Sequence, residues 1–315
     1  MMKELNIFFL DYKSIGEDID LSRFEDFGKV TKYNMYESEE VKDKLDDADV
    51  IIVNKLPINE STIGRANHLK LVCVTATGTN NLDKPYLESR NIEWRNVAGY
   101  STNCVTQHTF ALLFYVMEKL RYYDDYVKSG QYAADSSFTH FAEQFSELDG
   151  KVWGIIGLRT IGKNVAKIAK AFGCKVIYYS TSGKNDNPDY ERVSFEEMLE
   201  RADIVSVHAP LNDATAGLMD KDAFKKMKKS SIFINVGRGP IVNESDLADA
   251  LENNEIGAAA LDVLEKEPMS PDNPLLRIKD SKKLFITPHI AWAGLETRIR
   301  LMDIIYEQIK DFSQE

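Results

Sequence analysis

An arginine between two glycines (Gly237-Arg238-Gly239), a glutamate before a proline (Glu267-Pro268) and a histidine after one (Pro288-His289) are the residues of this 315-residue chain best suited to joint chemistry. A guanidinium can hold a carboxylate through two parallel N–H donors, and an imidazole moves protons near neutral pH. A carboxylate beside that imidazole orients it and favours its charged form. The three groups together suit an anionic substrate whose carbonyl or hydroxyl group gains or loses a proton. Each alone has a plainer use: the arginine as a helix cap or surface ion pair, the glutamate as a loop carboxylate, the histidine as a turn residue. Position unites them. Each follows a short apolar run, respectively Ile232 to Val236, the Leu261-Asp-Val263 region, and Phe285 to Pro288. In a doubly wound sheet the carboxyl ends of the strands face the ligand crevice.

The element that would bring a second reactant to that crevice is Lys151-Val-Trp-Gly-Ile-Ile-Gly-Leu-Arg-Thr-Ile-Gly162. Val152 to Ile156 reads as a strand buried on both faces. Beyond it Ile161, Val165, Ile168, Ala169 and Phe172 recur at helical spacing, Gly173 is placed to end that helix, and Cys174 to Tyr179 reads as the next strand. Such a βαβ unit sets a pyrophosphate on a helix N-terminus, with Gly157, Arg159, Thr160, Ile161 and Gly162 as its cradle. Arg159 occupies the place of the middle glycine in G-x-G-x-x-G. It either crowds the pyrophosphate, so that Arg159→Gly would tighten cofactor binding, or adds positive charge beside it. The same two glycines also serve ordinary chain reversal and helix–sheet contact.

Strand and helix signals alternate along nearly the whole chain, predicting an α/β protein with parallel sheets. The early strands are Leu5 to Leu10, Val30 to Tyr33, Val50 to Val53, Leu69 to Thr75 and Ile92 to Val97, with charged stretches such as Glu37 to Asp47 as surface helices. Thr75 to Asn80 reads equally as a turn able to offer backbone N–H groups to an anion or as an ordinary βα loop. Val105 to about Lys128 reads as one strongly apolar helix, and Gly130 to Phe145 as an aromatic packing or interface arm carrying Tyr132, Phe138, Phe141 and Phe145. Later strands are Ile204 to His208, Ser231 to Val236, Gly257 to Val263 and Leu284 to Thr287. Helices fit Phe195 to Arg201, Lys221 to Lys229 and Ser245 to Asn253. A dinucleotide domain thus spans roughly Thr102 to Pro288. The final helix, from Gly294, aligns Leu295, Ile299, Met302, Ile305, Ile309 and Phe312 on one docking face.

The net charge of −11, with a pI near 5.1, argues against binding to nucleic acid or to anionic membranes. Cys73, Cys104 and Cys174 show no C-x-x-C spacing and lie in or beside apolar runs, so buried, reduced thiols are expected, and no metal site. No run reaches the length of a membrane span, and the N-terminus lacks a signal-peptide pattern, so the expected location is the cytoplasm.

The blocks Asn235-Val-Gly-Arg-Gly-Pro-Ile-Val-Asn243, Ala260-Leu-Asp-Val-Leu-Glu-Lys-Glu-Pro268 and Thr287-Pro-His-Ile-Ala-Trp292 resemble the signature blocks of the D-2-hydroxyacid dehydrogenase family. The resemblance extends to Val207-His-Ala-Pro-Leu211 and Thr215. Gly99-Tyr-Ser-Thr and Gln107-His-Thr-Phe-Ala-Leu, together with His289-Ile-Ala-Trp292, are most similar to its hydroxypyruvate reductase (glycerate dehydrogenase) branch. The resemblance implies a Rossmann cofactor domain (102–289) and a flavodoxin-like substrate domain (1–101 plus 290–315), both doubly wound, with a cleft between them that closes over substrate. It implies His289 as general acid/base, Glu267 as its partner and Arg238 as substrate anchor, helped by the backbone of Thr77 and Gly78 and by Trp292. Ser180, Thr181, His208, Ala209, Pro210, Thr215, Val236, Gly237, Asp262, His289 and Ala291 join the glycine turn in binding NAD(H) or NADP(H). The implied substrate is a small 2-oxo or 2-hydroxy acid, hydroxypyruvate or glyoxylate foremost, and the implied assembly a homodimer through Val105 to Phe145.

One further departure from the family pattern bears on the cofactor. The acidic residue that normally binds the ribose 2′-hydroxyl at the end of the second strand is replaced by Ser180, within Tyr178-Tyr-Ser-Thr-Ser-Gly-Lys184. Without that carboxylate, NADP is not repelled. A dinucleotide-binding scaffold or corepressor on the same fold is the alternative to a working reductase. The intact Arg238, Glu267 and His289 favour the enzyme.

Overall fold

The early apolar runs become one five-stranded sheet in the computed structural model, which describes residues 4–34 and 39–314. Its strands are β1 (Leu5–Phe9), β2 (Gly28–Lys32), β3 (Val50–Val53), β4 (Leu71–Val74) and β5 (Glu93–Asn96). All pair in parallel in the order β2-β1-β3-β4-β5, the flavodoxin-like order. The central strands VIIV and LVCV are buried at every position, whereas the edges GKVTK and EWRN are not. This is why β3 and β4 read as unbroken apolar runs.

Chain contacts group Met1–Ser101 with Ala293–Glu315 as one unit and Thr102–Trp292 as another. Within the first, the last helix, Leu295–Gln314, buries Leu301, Met302, Ile305 and Ile309. Its Tyr306 ring packs 4.7 Å from that of Phe27, and Arg95 donates to Gln308 O at 2.7 Å. The expected docking face is rotated: Leu295 and Ile299 are 48% and 45% exposed, because Leu301 and not Ile299 completes the buried stripe. The surface helix expected over Glu37 to Asp47 is instead a 3₁₀ segment, Glu39–Lys44, with residues 37 and 38 outside the described part.

The second unit holds β6 (Val152–Ile156), β7 (Lys175–Tyr179), β8 (Glu191–Arg192), β9 (Ile204–Val207), β10 (Ile232–Asn235), β11 (Ala258–Leu261) and β12 (Leu284–Ile286). These form a seven-stranded parallel sheet in the order β12-β11-β10-β9-β6-β7-β8. The order reverses at β6, which pairs with both β7 and β9, as in doubly wound dinucleotide folds. Neighbouring strand residues feed opposite faces. Ile156, Val205, Val207 and Phe233 pack with Met198, Phe224 and Leu247. Ile155, Ile204, Ile232 and Ile234 pack with Leu112, Leu113, Val165 and Ala169.

The long apolar helix expected from Val105 is two helices, Thr102–Met117 and Leu120–Lys128. Lys119 between them takes a left-handed φ of 57°, which an α-helix cannot continue through. In the helix Thr160–Ala171 the inward face is Gly162, Val165, Ala166 and Ala169, so Ile168 and Phe172 point outward against expectation. Phe172 instead stacks its edge on Phe114, 5.5 Å away. Cys73 and Cys174 are buried, and burial pushes their thiols up to about 12 and about 11, which leaves them inert. Cys104, expected buried too, is only half-buried because it lies in the first turn of its helix.

Candidate active site

Asn235 ends β10 and organises the turn beyond it. Its side chain accepts from Gly237 N and donates to Arg238 O, both at 3.0 Å. Arg238 is thereby held extended and half-buried, donating from Nη1 to Gly237 O at 2.8 Å. A Cβ on Gly239 would collide with Leu264 O and Glu265 N, so only glycine lets the arginine turn lie against the loop after β11. The buried Glu244 secures that loop, accepting from Glu265 N and Asn273 Nδ2, both at 2.6 Å. Nothing in the sequence marked Glu244 or Asn235 for these positioning tasks.

Within the same loop, Glu267 accepts from Leu264 N at 2.9 Å through Oε1, and its Oε2 lies 2.6 Å from His289 Nδ1. The imidazole and carboxylate are 25% and 34% exposed, so the pair is reachable. His289 adopts φ 56°, the left-handed region that costs a non-glycine residue roughly 1 kcal/mol or more. Asp262, 1% exposed, secures the turn against that cost. Its carboxylate accepts from Thr287 Oγ1 (2.6 Å), Ile290 N (2.8 Å) and Ala291 N (2.8 Å), while its carbonyl accepts from His289 N at 2.8 Å. Three charge-assisted bonds outweigh such a backbone cost. Thus β10, β11 and β12, adjacent in the sheet, deliver the arginine turn, the glutamate loop and the histidine turn from their carboxyl ends.

The glycine turn closes tightly on its neighbours. Gly157 has φ 92°, and a Cβ there would meet Ala209 N at 2.9 Å, so the turn sits against the His208-Ala209-Pro210 loop. Gly162 lets the helix Thr160–Ala171 press on Gly157 O. Arg159 is the N-cap and makes no side-chain capping bond, leaving the helix's first N–H groups open to an anion. Arg159, Thr160 and Lys163 line an open hollow of about 740 Å³ together with Ser182, Lys184 and Asn185. These residues fit a phosphate-rich dinucleotide.

The remaining predicted residues fall around these loops or in the other unit. Ser180 is buried at the end of β7 and accepts from Asn185 N at 3.2 Å; Thr181 follows it, half-buried. Thr215 is buried and donates to Pro210 O at 2.8 Å. His208 Nε2 lies 3.0 Å from Ser206 Oγ, and its buried Nδ1 has no hydrogen-bond partner among the described residues. Burial pushes this imidazole down to about 3, so it is neutral. Val236, Gly237 and Ala291 are buried, and Trp292 packs half-buried on the second core. Thr77 and Gly78 lie in the first unit beyond β4, where Thr77 Oγ1 donates to Val97 O at 2.9 Å.

Fold and glycine turn together define a dinucleotide-binding protein of the doubly wound class. The model of the D-isomer specific 2-hydroxyacid dehydrogenase NAD binding domain matches residues 110–291, and the chain belongs to that family. It is 35% identical to a hydroxypyruvate reductase of Blautia hydrogenotrophica, over 94% of this chain and 92% of that one. It is 32% identical to a glycerate dehydrogenase of Methylorubrum extorquens, over 97% and 95%. Among solved structures, an acyclic imino acid reductase in complex with NADPH and D-Arg superposes with a TM-score of 0.84 at 28% identity, covering 98% of this chain and 97% of that one. The protein is therefore an NAD(P)-dependent 2-hydroxyacid dehydrogenase by family. No helix among the described residues is long and apolar enough to cross a membrane.

Proposed function

We propose that the protein reduces a small 2-oxo acid, hydroxypyruvate or glyoxylate, to the D-2-hydroxy acid. A nicotinamide cofactor, which Gly157, Arg159, Thr160, Ile161 and Gly162 would hold, would supply the hydride chemistry when bound. Arg238 holds the substrate carboxylate and polarises the carbonyl oxygen, with Trp292 as an apolar neighbour. His289 gives its proton to the carbonyl oxygen, and in the reverse direction the neutral ring takes it back. With Nδ1 bound to Glu267, Nε2 is the nitrogen left for that transfer. Glu267 orients the ring by accepting at Nδ1.

The 2.6 Å Glu267–His289 bond is the observation that carries this reading. A pure binding module has no use for an oriented, reachable imidazole. The relatives named hydroxypyruvate reductase and glycerate dehydrogenase support the substrate class. A spectrophotometric panel of 2-oxo acids with NADH and NADPH tests it. Fastest turnover is expected with hydroxypyruvate or glyoxylate, and no oxidation of either cofactor with any 2-oxo acid would refute the proposal.

A further inference from the structure

One titratable side chain outside the three signature blocks reaches the histidine turn. His108 stands on the helix Thr102–Met117, 19% exposed, with Nε2 2.9 Å from Thr287 Oγ1 and 3.5 Å from Asp262 Oδ1. We propose that His108 is a positioning residue for His289, acting through Thr287 and Asp262. The inference rests on the reading of His289 as the proton donor.

Proton counting fixes the direction of the relay. The Thr287 hydroxyl has a single proton, and its 2.6 Å contact with the Asp262 carboxylate takes it. At the remaining 2.9 Å contact the hydroxyl must accept, so His108 donates through Nε2–H. The ring is then the neutral Nε2–H tautomer. Burial supports this by lowering its basicity, an effect the nearby Asp262 charge only partly opposes. The chain His108 Nε2–H, Thr287 O–H, Asp262 carboxylate ends on Ile290 N and Ala291 N, which bracket the left-handed His289 together with Thr287.

The consequence is positional. Asp262 and Thr287 belong to the strand ends β11 and β12 and move with the turn they hold. His108 belongs to a helix packed across the sheet and ties that turn to an independent element. Without its donor, the Thr287 hydroxyl loses the bond that orients it, and Asp262 holds the turn less tightly. The imidazole then samples poses away from its productive one, which lowers turnover without weakening the grip on substrate.

The test compares His108→Leu, which keeps bulk but removes the donor, with His108→Gln, whose amide N–H reaches about as far as Nε2. With the fastest 2-oxo acid of the panel, His108→Leu is expected to lower kcat about five- to tenfold, the effect of one hydrogen bond. KM and the cofactor dissociation constant, read by tryptophan fluorescence, are expected to stay within about twofold, and His108→Gln to recover most of kcat. Equal kcat in wild type and His108→Leu overturns the proposal. So does a His108→Gln enzyme as slow as His108→Leu, which would indicate packing alone. If His108→Leu does not fold, Thr287→Val carries the same expectation. Independently, ¹⁵N-labelled wild-type protein is expected to show a slowly exchanging His108 Nε2–H proton, and an Nδ1–H tautomer overturns the relay. His289→Ala separates the two ideas. Turnover retained in His289→Ala removes both, whereas turnover lost there but kept in His108→Leu removes only this one.

Discussion

Arg159 shows how one residue can depart from a motif and still serve it. It stands where a glycine would bring backbone nearest a pyrophosphate, and that position allows either crowding or added charge. The side chain is exposed and shares its hollow with Lys163 and Lys184, which supports the second role. No carboxylate lies at the end of β7, where Ser180 bonds Asn185 N instead. Two lysines and an arginine around that strand end suit the extra phosphate of NADPH. Arg159→Gly is therefore expected to weaken NADPH binding about three- to tenfold, the effect of one exposed charge pair, and to change NADH binding less. Fluorescence titration with both cofactors checks this. A hundredfold preference of the wild-type protein for NADH would contradict it, as would tighter NADPH binding by Arg159→Gly.

The segment after Lys119 carries its own argument at the scale of elements. The helix Leu120–Lys128 buries no residue, so it is stabilised mainly by the arm that folds back on it. His140 stacks on Tyr126 at 3.8 Å and lies 2.8 Å from Tyr122 OH; Tyr123 OH donates to Glu143 O at 2.6 Å. This fixed backing presents Phe138 and Phe141 outward, 87% and 85% exposed. A pinned arm with two bare phenylalanines suits a partner surface better than water. We propose that a second copy of the chain covers it. Light scattering after size exclusion is expected to give a dimer for wild type and a monomer for Phe138→Ser/Phe141→Ser. A monomeric wild type would remove the proposal.

For the whole molecule, what could be read in advance follows from where the information lies. Val50–Val53, Leu71–Val74 and Val152–Ile156 were legible because strands buried on both faces must be apolar throughout. Arg238, Glu267 and His289 were legible because each follows a short apolar run, β10 and β11 buried throughout and β12 partly buried at the sheet edge. The two-residue strand Glu191–Arg192 has no apolar signal, and a lysine does not announce the left-handed φ that breaks the helix at Lys119. The bonds by which Asp262, expected only as a cofactor residue, and His108 hold the histidine turn were hidden more deeply. The bonds of Asp262 run to residues 287–291, and His108 meets Thr287 across 179 positions of chain, so neither partnership has a local spacing.

The central claim is that His289, held by Glu267, moves the proton in reduction of a 2-oxo acid. Steady-state oxidation of NADH and NADPH with hydroxypyruvate, by wild type and by His289→Ala, meets it head on. The expected result is a kcat lower by roughly 10²–10⁴ in the variant, the usual contribution of a positioned general acid. Equal turnover by the two proteins would contradict it.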